Sequence, residues 1–95
     1  MKFEWDENKN NSNIEKHKVS FEQAISVFYD DSAIIFQDIK HSEFEDRFVI
    51  IGKSILEQVL FVCYCERGID ELNEDILRII SARKATDKER RLFYE

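Results

Sequence analysis

The sequence predicts an α+β fold: an antiparallel sheet of four to five strands, two N-terminal helices and one C-terminal helix. Three observations support this class. Capped helical segments occupy most of the first 30 residues, four apolar runs with short polar links follow, and a capping pattern opens a basic C-terminal segment. Consecutive strands with short links favour antiparallel pairing, with the helices packed on one face of the sheet.

The N-terminal third predicts one short strand and two helices. Residues 2–5 alternate in polarity and indicate an edge strand, after which Asp6 can cap a helix over residues 7–17. Ser20 and Gln23 form a capping box for a second helix that runs to about Tyr29. The apolar positions of that helix recur at i, i+3, i+4 and i+7, as on one helix face: Phe21, Ala24, Ile25 and Phe28.

Four strand-like runs follow the helices. They are rich in β-branched and aromatic residues and lie at residues 33–37, 43–52, 57–65 and 76–82. The link at residues 68–75 is long and acidic, whereas the others are short, as in hairpins. Thr86 and Glu89 then form a capping box that opens a helix reaching the C-terminus.

Composition indicates one small cytoplasmic domain, residues 1–95. A hydrophobic content of 43% is enough for a single core. The N-terminal residues lack the apolar run of a signal peptide, and no stretch approaches the roughly 18 apolar residues of a membrane span. We therefore expect a cytoplasmic location and no membrane partner. Two cysteines do not make a disulfide framework.

The net charge of −6 is unevenly distributed. Residues 1–75 carry 8 basic and 17 acidic side chains, a balance of −9, whereas residues 76–95 carry 6 basic and 3 acidic ones, a balance of +3. The basic C-terminal segment can contact phosphate locally. The charge of the whole chain, however, does not attract a nucleic acid from a distance.

The most informative stretch is residues 76–86. In a regular strand Arg78 shares a face with Ile80 and Ala82, while the alternate residues face the other way. An arginine in an apolar strand needs an anionic partner. This partner is either a carboxylate across the sheet, Glu45 or Glu66, or the phosphate of a substrate, and the pattern leaves both open. The positive charge continues through Arg83, Lys84, Lys88, Arg90 and Arg91, a run that is also typical of a solvated helix face.

Several other residues are weaker candidates. Glu66 and Arg67 end a strand and should point to opposite faces, and charged residues also simply terminate strands. His17 at a helix C-terminus is a general acid, a hydrogen-bond donor to phosphate, or a plain cap. Cys63 and Cys65 face the same way and indicate core packing, and no set of ligands predicts a metal site.

Four segments together resemble the BrnT family. They are FEWDENKNNSNIEKH from Phe3, VSFEQAISVFYD from Val19, HSEFEDRFVIIGKS from His41 and RIISARKATDKERRLFYE from Arg78. The resemblance spans nearly the whole chain in the same order. It implies a RelE-like α+β fold and a ribonuclease toxin that needs no metal or other cofactor. It also implies a BrnA-like antitoxin as partner, an RNA substrate, and contact with DNA only indirectly, through that antitoxin.

The resemblance also implies site residues. The matching positions for catalysis are His17, Glu45, Arg47, Glu66, Arg67, Arg78 and Arg83, and basic residues expected to contact RNA are Lys9, Lys16, Lys84, Lys88, Arg90 and Arg91. Arginines on the sheet would stabilise the charge that develops as a ribose 2′-hydroxyl attacks its phosphodiester, and a histidine or glutamate would move the protons. The alternative is a catalytically weak, toxin-like binding module that serves as antitoxin partner and corepressor.

Two features depart from the family pattern. Lys18 stands where the family usually has glycine, and it costs on the order of 1 kcal/mol if its backbone is left-handed. The acidic link at residues 68–75 is longer than usual, and it could repel RNA or bind another partner.

Overall fold

A computed structural model describes residues 1–95 and contains one five-stranded sheet with helices on both sides, which confirms the α+β class. In chain order the elements are β1 (Lys2–Glu4), α1 (Glu7–His17), α2 (Phe21–Ser26), β2 (Ile34–Gln37), β3 (Arg47–Lys53), β4 (Val59–Ile69), β5 (Asp75–Lys84) and α3 (Asp87–Tyr94). Single 3-10 turns lie at Val27–Tyr29 and Ile39–His41. None of the helices has the length and apolar character that crossing a membrane requires.

The strand order across the sheet is β1-β5-β4-β3-β2. Strands β2 to β5 pair antiparallel with their sequence neighbours, as the hairpin-like links predicted. The edge strand β1 instead pairs parallel with β5. Two helices rather than a hairpin connect β1 to the next strand, so its direction is not fixed by a tight turn.

Several element boundaries differ from the sequence predictions. The link expected at residues 68–75 is shortened to a turn over residues 70–74, because β4 continues to Ile69 and β5 already begins at Asp75, and the N–H of Asp70 donates to the carbonyl of Glu74 across that turn. Strand β3 begins at Arg47 rather than at residue 43. The second helix is α-helical only to Ser26 and finishes as the 3-10 turn.

The main core lies between the sheet and the segment that contains α2. Val19, Phe21, Ala24 and Val27 pack on one sheet face, against the buried side chains of Ile50, Leu60, Val62, Tyr64, Leu77, Ile79 and Ala82. We call this the helix face. A smaller cluster forms on the opposite sheet face, where Phe93 of α3 packs against Val49, Ile51 and Val59. The expectation that all helices share one face is therefore wrong, since α3 covers the other.

A β-bulge in β5 alters which side chains share a face. Cys63 of β4 pairs with Ser81, but its neighbour Tyr64 pairs with Ile79, so Ile80 is the extra residue on β5. Beyond such a bulge, the inward and outward positions of a strand exchange. Ile79 and Ala82 consequently both enter the core on the helix face. The regular alternation expected for this strand, with Arg78 beside Ala82, is wrong.

Helix α1 completes the edge of β5 beyond the end of β1. The buried side-chain amide of Asn13 donates a 2.7 Å hydrogen bond to the carbonyl of Ala82 and accepts a 3.1 Å bond from its N–H. It thus takes the place of a neighbouring strand for one residue. The helix ends at Lys18, whose φ of 59° and ψ of 30° are left-handed, a conformation that costs a non-glycine residue free energy.

Candidate active site

Four arginines lie on one side of the sheet, and the bulge in β5 puts Arg78 and Arg83 on that same side. Arg78 pairs in register with Cys65 and Arg83 with Phe61, and these two β4 residues are an even number of positions apart. Both arginines therefore point away from the helix face. Arg47 pairs with Cys65 from β3, and Arg67 lies two residues beyond Cys65. We call the surface carrying these four side chains the arginine face.

The spacing of the arginine face follows from the sheet. Arg47 and Arg78 flank Cys65 on the two neighbouring strands, so their Cα atoms lie about 10 Å apart at the usual strand spacing. Arg83 is four β4 residues further along, about 13 Å from Arg78. The surface between them is lined by Cys63 and Ser81. Several guanidinium groups are therefore spaced along one exposed side of the sheet.

Arg83 is the most tightly held of the four. Its Nη1 and Nη2 donate to the two carboxylate oxygens of Glu89 at 2.7 and 2.9 Å. Its guanidinium lies over the ring of Phe61, 4.1 Å from the centroid. The hydrogen bond to Glu89 raises the pKa of Arg83, and the same bond lowers the pKa of the Glu89 carboxyl. Both groups thus stay charged.

The partner of Arg78 differs from either carboxylate considered from the sequence. Arg78 donates from Nη1 to Glu4 of β1 at 2.7 Å, not to Glu45 or Glu66. The parallel pairing of β1, which places Glu4 directly beside Arg78, explains the difference. About a third of the Arg78 side chain, 32%, remains exposed, so the pair does not close off the guanidinium.

Glu45 connects the other two arginines. One carboxylate oxygen lies 3.4 Å from Arg47 Nη2, and the other lies 3.6 Å from Arg67 Nη1. These contacts are longer than those of Glu4 and Glu89. An open cavity of about 250 Å³ lies beside Glu45 and Arg47. A larger cavity, about 550 Å³, lies at the β3–β4 hairpin and contains none of the four arginines, so size alone does not identify the site.

The cysteines on the arginine face are unsuited to nucleophilic chemistry. Burial raises the pKa of the Cys63 thiol and of the Cys65 thiol, so both remain protonated near neutral pH. Both are free. No group of three or more His, Cys, Asp or Glu side chains is arranged to hold a metal ion.

Two predicted catalytic residues do not join this cluster. Glu66 follows Cys65 and so points to the opposite side, as the alternation of the strand predicted, and it is exposed. His17 is exposed at the end of α1, and its side chain forms no hydrogen bond or ion pair. Among the basic residues expected to contact RNA, none forms an ion pair, and all are exposed: Lys9 and Lys16 on α1, Lys84 at the end of β5, and Lys88, Arg90 and Arg91 on α3.

Sequence reasoning missed two acidic members of the site. In the sequence, Glu4 indicates only part of an edge strand and Glu89 only half of a capping box. The capping box is present, with Thr86 and Glu89 each accepting from the other's backbone N–H. The Thr86–Glu89 motif does not indicate that Glu89 also contacts Arg83, because Arg83 reaches Glu89 only once β5 and α3 are in place.

Comparisons with known proteins agree with this architecture. A family model described as "Ribonuclease toxin, BrnT, of type II toxin-antitoxin system" matches residues 5–89. Among solved structures, the chain is similar to the crystal structure of the Brucella abortus ribonuclease toxin BrnT. The two are 28% identical with a TM-score of 0.66, and the match covers 92% of this chain and 99% of that one. No curated protein matches the sequence.

Proposed function

Because the chain belongs to the BrnT family of ribonuclease toxins of type II toxin–antitoxin systems, we propose that its arginine face cuts RNA without a metal ion and that a BrnA-like antitoxin neutralises it. The observation that carries this proposal is the bulge in β5. It places Arg78 and Arg83 beside Arg47 and Arg67, on a face where charge-assisted donors are concentrated.

The proposed reaction is an internal phosphodiester transfer. The ribose 2′-oxygen forms a bond to the adjacent phosphorus, and the bond from phosphorus to the 5′-oxygen of the next nucleotide breaks. The 5′-oxygen takes a proton from solvent as it leaves, and the products are a 2′,3′-cyclic phosphate and a free 5′-hydroxyl. Negative charge grows on the non-bridging oxygens as the 2′-oxygen attacks, and fixed guanidinium donors stabilise that charge more than the ground state.

Glu45 is the carboxylate best placed to take the 2′-hydroxyl proton. It lies between Arg47 and Arg67, and its contacts of 3.4 and 3.6 Å leave its oxygens less committed than those of the other two pairs. About a third of its side chain, 34%, is exposed, so a substrate hydroxyl can reach it. His17 has no support for this role from its position.

Metal independence is proposed because four guanidinium groups already lie on one side of the sheet. The arginines supply the positive charge that a metal ion would otherwise provide to the phosphate. Cleavage is therefore expected to continue in excess EDTA. Loss of cleavage on chelation, with recovery on adding magnesium, would contradict the mechanism.

The decisive experiment replaces Arg78 and Arg83 by alanine and measures cleavage of RNA, growth arrest without antitoxin, and thermal melting. A guanidinium aimed at developing charge should cost about 10²-fold or more in rate when removed. Their side chains are 32% and 36% exposed, so the removed ion pairs should each cost no more than about 1 kcal/mol of stability. Lysine should rescue poorly because it lacks the planar fork.

Two results would count against the arginines. If both alanine variants melt normally and cut RNA as the parent does, the site lies elsewhere. If both variants merely unfold, the arginines are structural. Binding of the antitoxin to each variant, measured in parallel, shows whether a folded surface remains.

The antitoxin is proposed to cover the arginine face and α3 with an acidic or apolar segment. Residues 76–95 carry a net positive balance, +3 from 6 basic and 3 acidic side chains, so a negatively charged partner is complementary there. Contact with DNA would come only through the antitoxin. Co-purification of the two neighbouring gene products tests this, and a toxin that always elutes alone would refute it.

A second candidate function is favoured by the ion pairs. Arg47, Arg67, Arg78 and Arg83 all have a carboxylate partner already, and the whole chain carries −6, which weakens attraction for RNA. In this alternative the protein is a weak or inactive toxin-like module that binds the antitoxin and acts as corepressor. Growth arrest on induction, without antitoxin, separates the two.

A further inference from the structure

Glu89 takes part in two sets of contacts at once: the capping box of α3 and the ion pair with Arg83. As the third residue of α3, it accepts a 2.9 Å hydrogen bond from the N–H of Thr86 and closes the capping box. The same oxygen, Oε1, accepts from Arg83 Nη1 at 2.7 Å, and Oε2 accepts from Nη2 at 2.9 Å. The first turn of α3 and the guanidinium of Arg83 are therefore held by a single carboxylate.

The hydrogen bonds of Arg83 show which of its donors remain free. A guanidinium has five N–H donors. Glu89 takes one from each terminal nitrogen, and the carbonyl of Lys84 takes the second hydrogen of Nη1 at 3.3 Å. The N–H of Nε and the outer hydrogen of Nη2 have no partner. These two donors form one edge of the guanidinium, and their parallel spacing matches two oxygens of a phosphate.

We propose that Glu89 is a positioning residue of the ribonuclease site, which fixes Arg83 so that its Nε–Nη2 edge receives a phosphate of the RNA. This inference rests on the proposed function. Glu89 does not touch the substrate. It acts through Arg83, with the Phe61 ring beneath the guanidinium restricting rotation out of that plane.

The geometry predicts how the loss of Glu89 affects kcat and KM separately. A fixed guanidinium offers its donors without reorganising as charge develops on the phosphate, which favours the transition state over the bound substrate. A loosened Arg83 still attracts RNA by its charge, and it is no longer neutralised by a carboxylate. Loss of Glu89 should therefore lower kcat and leave KM unchanged or lower.

The test measures kcat and KM for a fluorogenic RNA oligonucleotide with the parent protein, Glu89→Gln and Asp87→Asn. Glutamine can still close a capping box, so α3 should persist, but its amide can accept from only one of the two guanidinium nitrogens. We expect kcat to fall on the order of 10-fold in Glu89→Gln. Asp87→Asn removes one negative charge from the same turn, at a side chain without a hydrogen bond or ion pair, and should behave as the parent.

A double variant distinguishes action through Arg83 from a general effect on the fold. Glu89→Gln should have no further effect on kcat in an Arg83→Ala background, because the group it positions is gone. Equal effects of Glu89→Gln in both backgrounds, parent-like kcat in Glu89→Gln, or an increase in kcat would each overturn the inference. A parent that cuts no RNA would instead refute the proposed function itself.

Discussion

Replacing Lys18 by glycine should stabilise the protein, because the backbone at this position is one that L-residues adopt at a cost. Lys18 ends α1 with φ 59° and ψ 30°, and its N–H donates to the carbonyl of Ile14 at 2.9 Å. This is the left-handed helix cap at which glycine is favoured. Glycine can keep both the dihedral angles and the hydrogen bond.

The expected gain is a difference of two terms. A non-glycine residue in the left-handed region costs about 1–2 kcal/mol. Glycine cancels roughly 0.5–1 kcal/mol of the relieved strain, because it gives the unfolded chain more conformational freedom, which folding must remove. The substitution also removes an exposed hydrogen bond, 3.1 Å long, from Lys18 Nζ to the carbonyl of Glu15. The net stabilisation should be about 0.5–1 kcal/mol, or about 2–8 °C in Tm.

The assay is urea and thermal unfolding of the parent, Lys18→Gly and the matched control Lys9→Gly. Lys9 lies in the first turn of the same helix, where the backbone is right-handed, and is exposed. Glycine there should destabilise by up to about 1 kcal/mol. Both variants replace lysine by glycine. Changes of opposite sign in the free energy of unfolding would therefore show that the backbone conformation at Lys18 is the cause. If Lys18→Gly destabilises as Lys9→Gly does, the cap is not strained and the reasoning fails.

Two further predictions concern the edges of the sheet. Asn13→Ala should destabilise by about 2–3 kcal/mol, since it leaves the N–H and carbonyl of Ala82 unpaired in the interior; urea unfolding measures this. The Lys2 ammonium, 2.7 Å from Asp70 Oδ2, is the largest cause that lowers the Asp70 pKa from 3.8 to about 2. A carboxyl group whose pKa is depressed in the folded state stabilises the fold above about pH 4, and this contribution is lost as the pH falls towards 2. In Lys2→Met the free energy of unfolding should therefore decrease less steeply between pH 4 and pH 2.

Each of these predictions has a direct control. Asn11 lies on the same helix as Asn13 but is exposed, so Asn11→Ala should change stability by less than about 0.5 kcal/mol. Similar losses for both asparagines would show that the contact to β5 is not responsible. For the acid limb, Lys9→Met removes a lysine without an ion pair. A parent and a Lys2→Met variant that lose stability in parallel below pH 4 would contradict the assigned pair.

Capping motifs between residues close in sequence predicted where the helices start, whereas contacts between distant residues determined which partners the side chains of these motifs bind. The Thr86–Glu89 box needs only residues three apart, and it is present in full. At the second helix Ser20 accepts from the N–H of Gln23 as expected. The Gln23 side chain, however, donates to Ser54 and Gln58 of the β3–β4 hairpin instead of closing the box. A motif fixes which groups can bond, whereas the tertiary fold selects the partner.

The arginine face depended on a feature that strand periodicity does not predict. Arg78 and Arg83 are five residues apart, so a regular strand places them on opposite sides of the sheet. Ile80 is unpaired in the register with β4 and restores them to one side. The sequence holds a trace of this, because Leu77 and Ile79 keep the period of two and the next core residue, Ala82, does not. Distinguishing such a break from a simple strand end requires the β4 partner, and so the grouping of the arginines on one face became visible only with the sheet assembled.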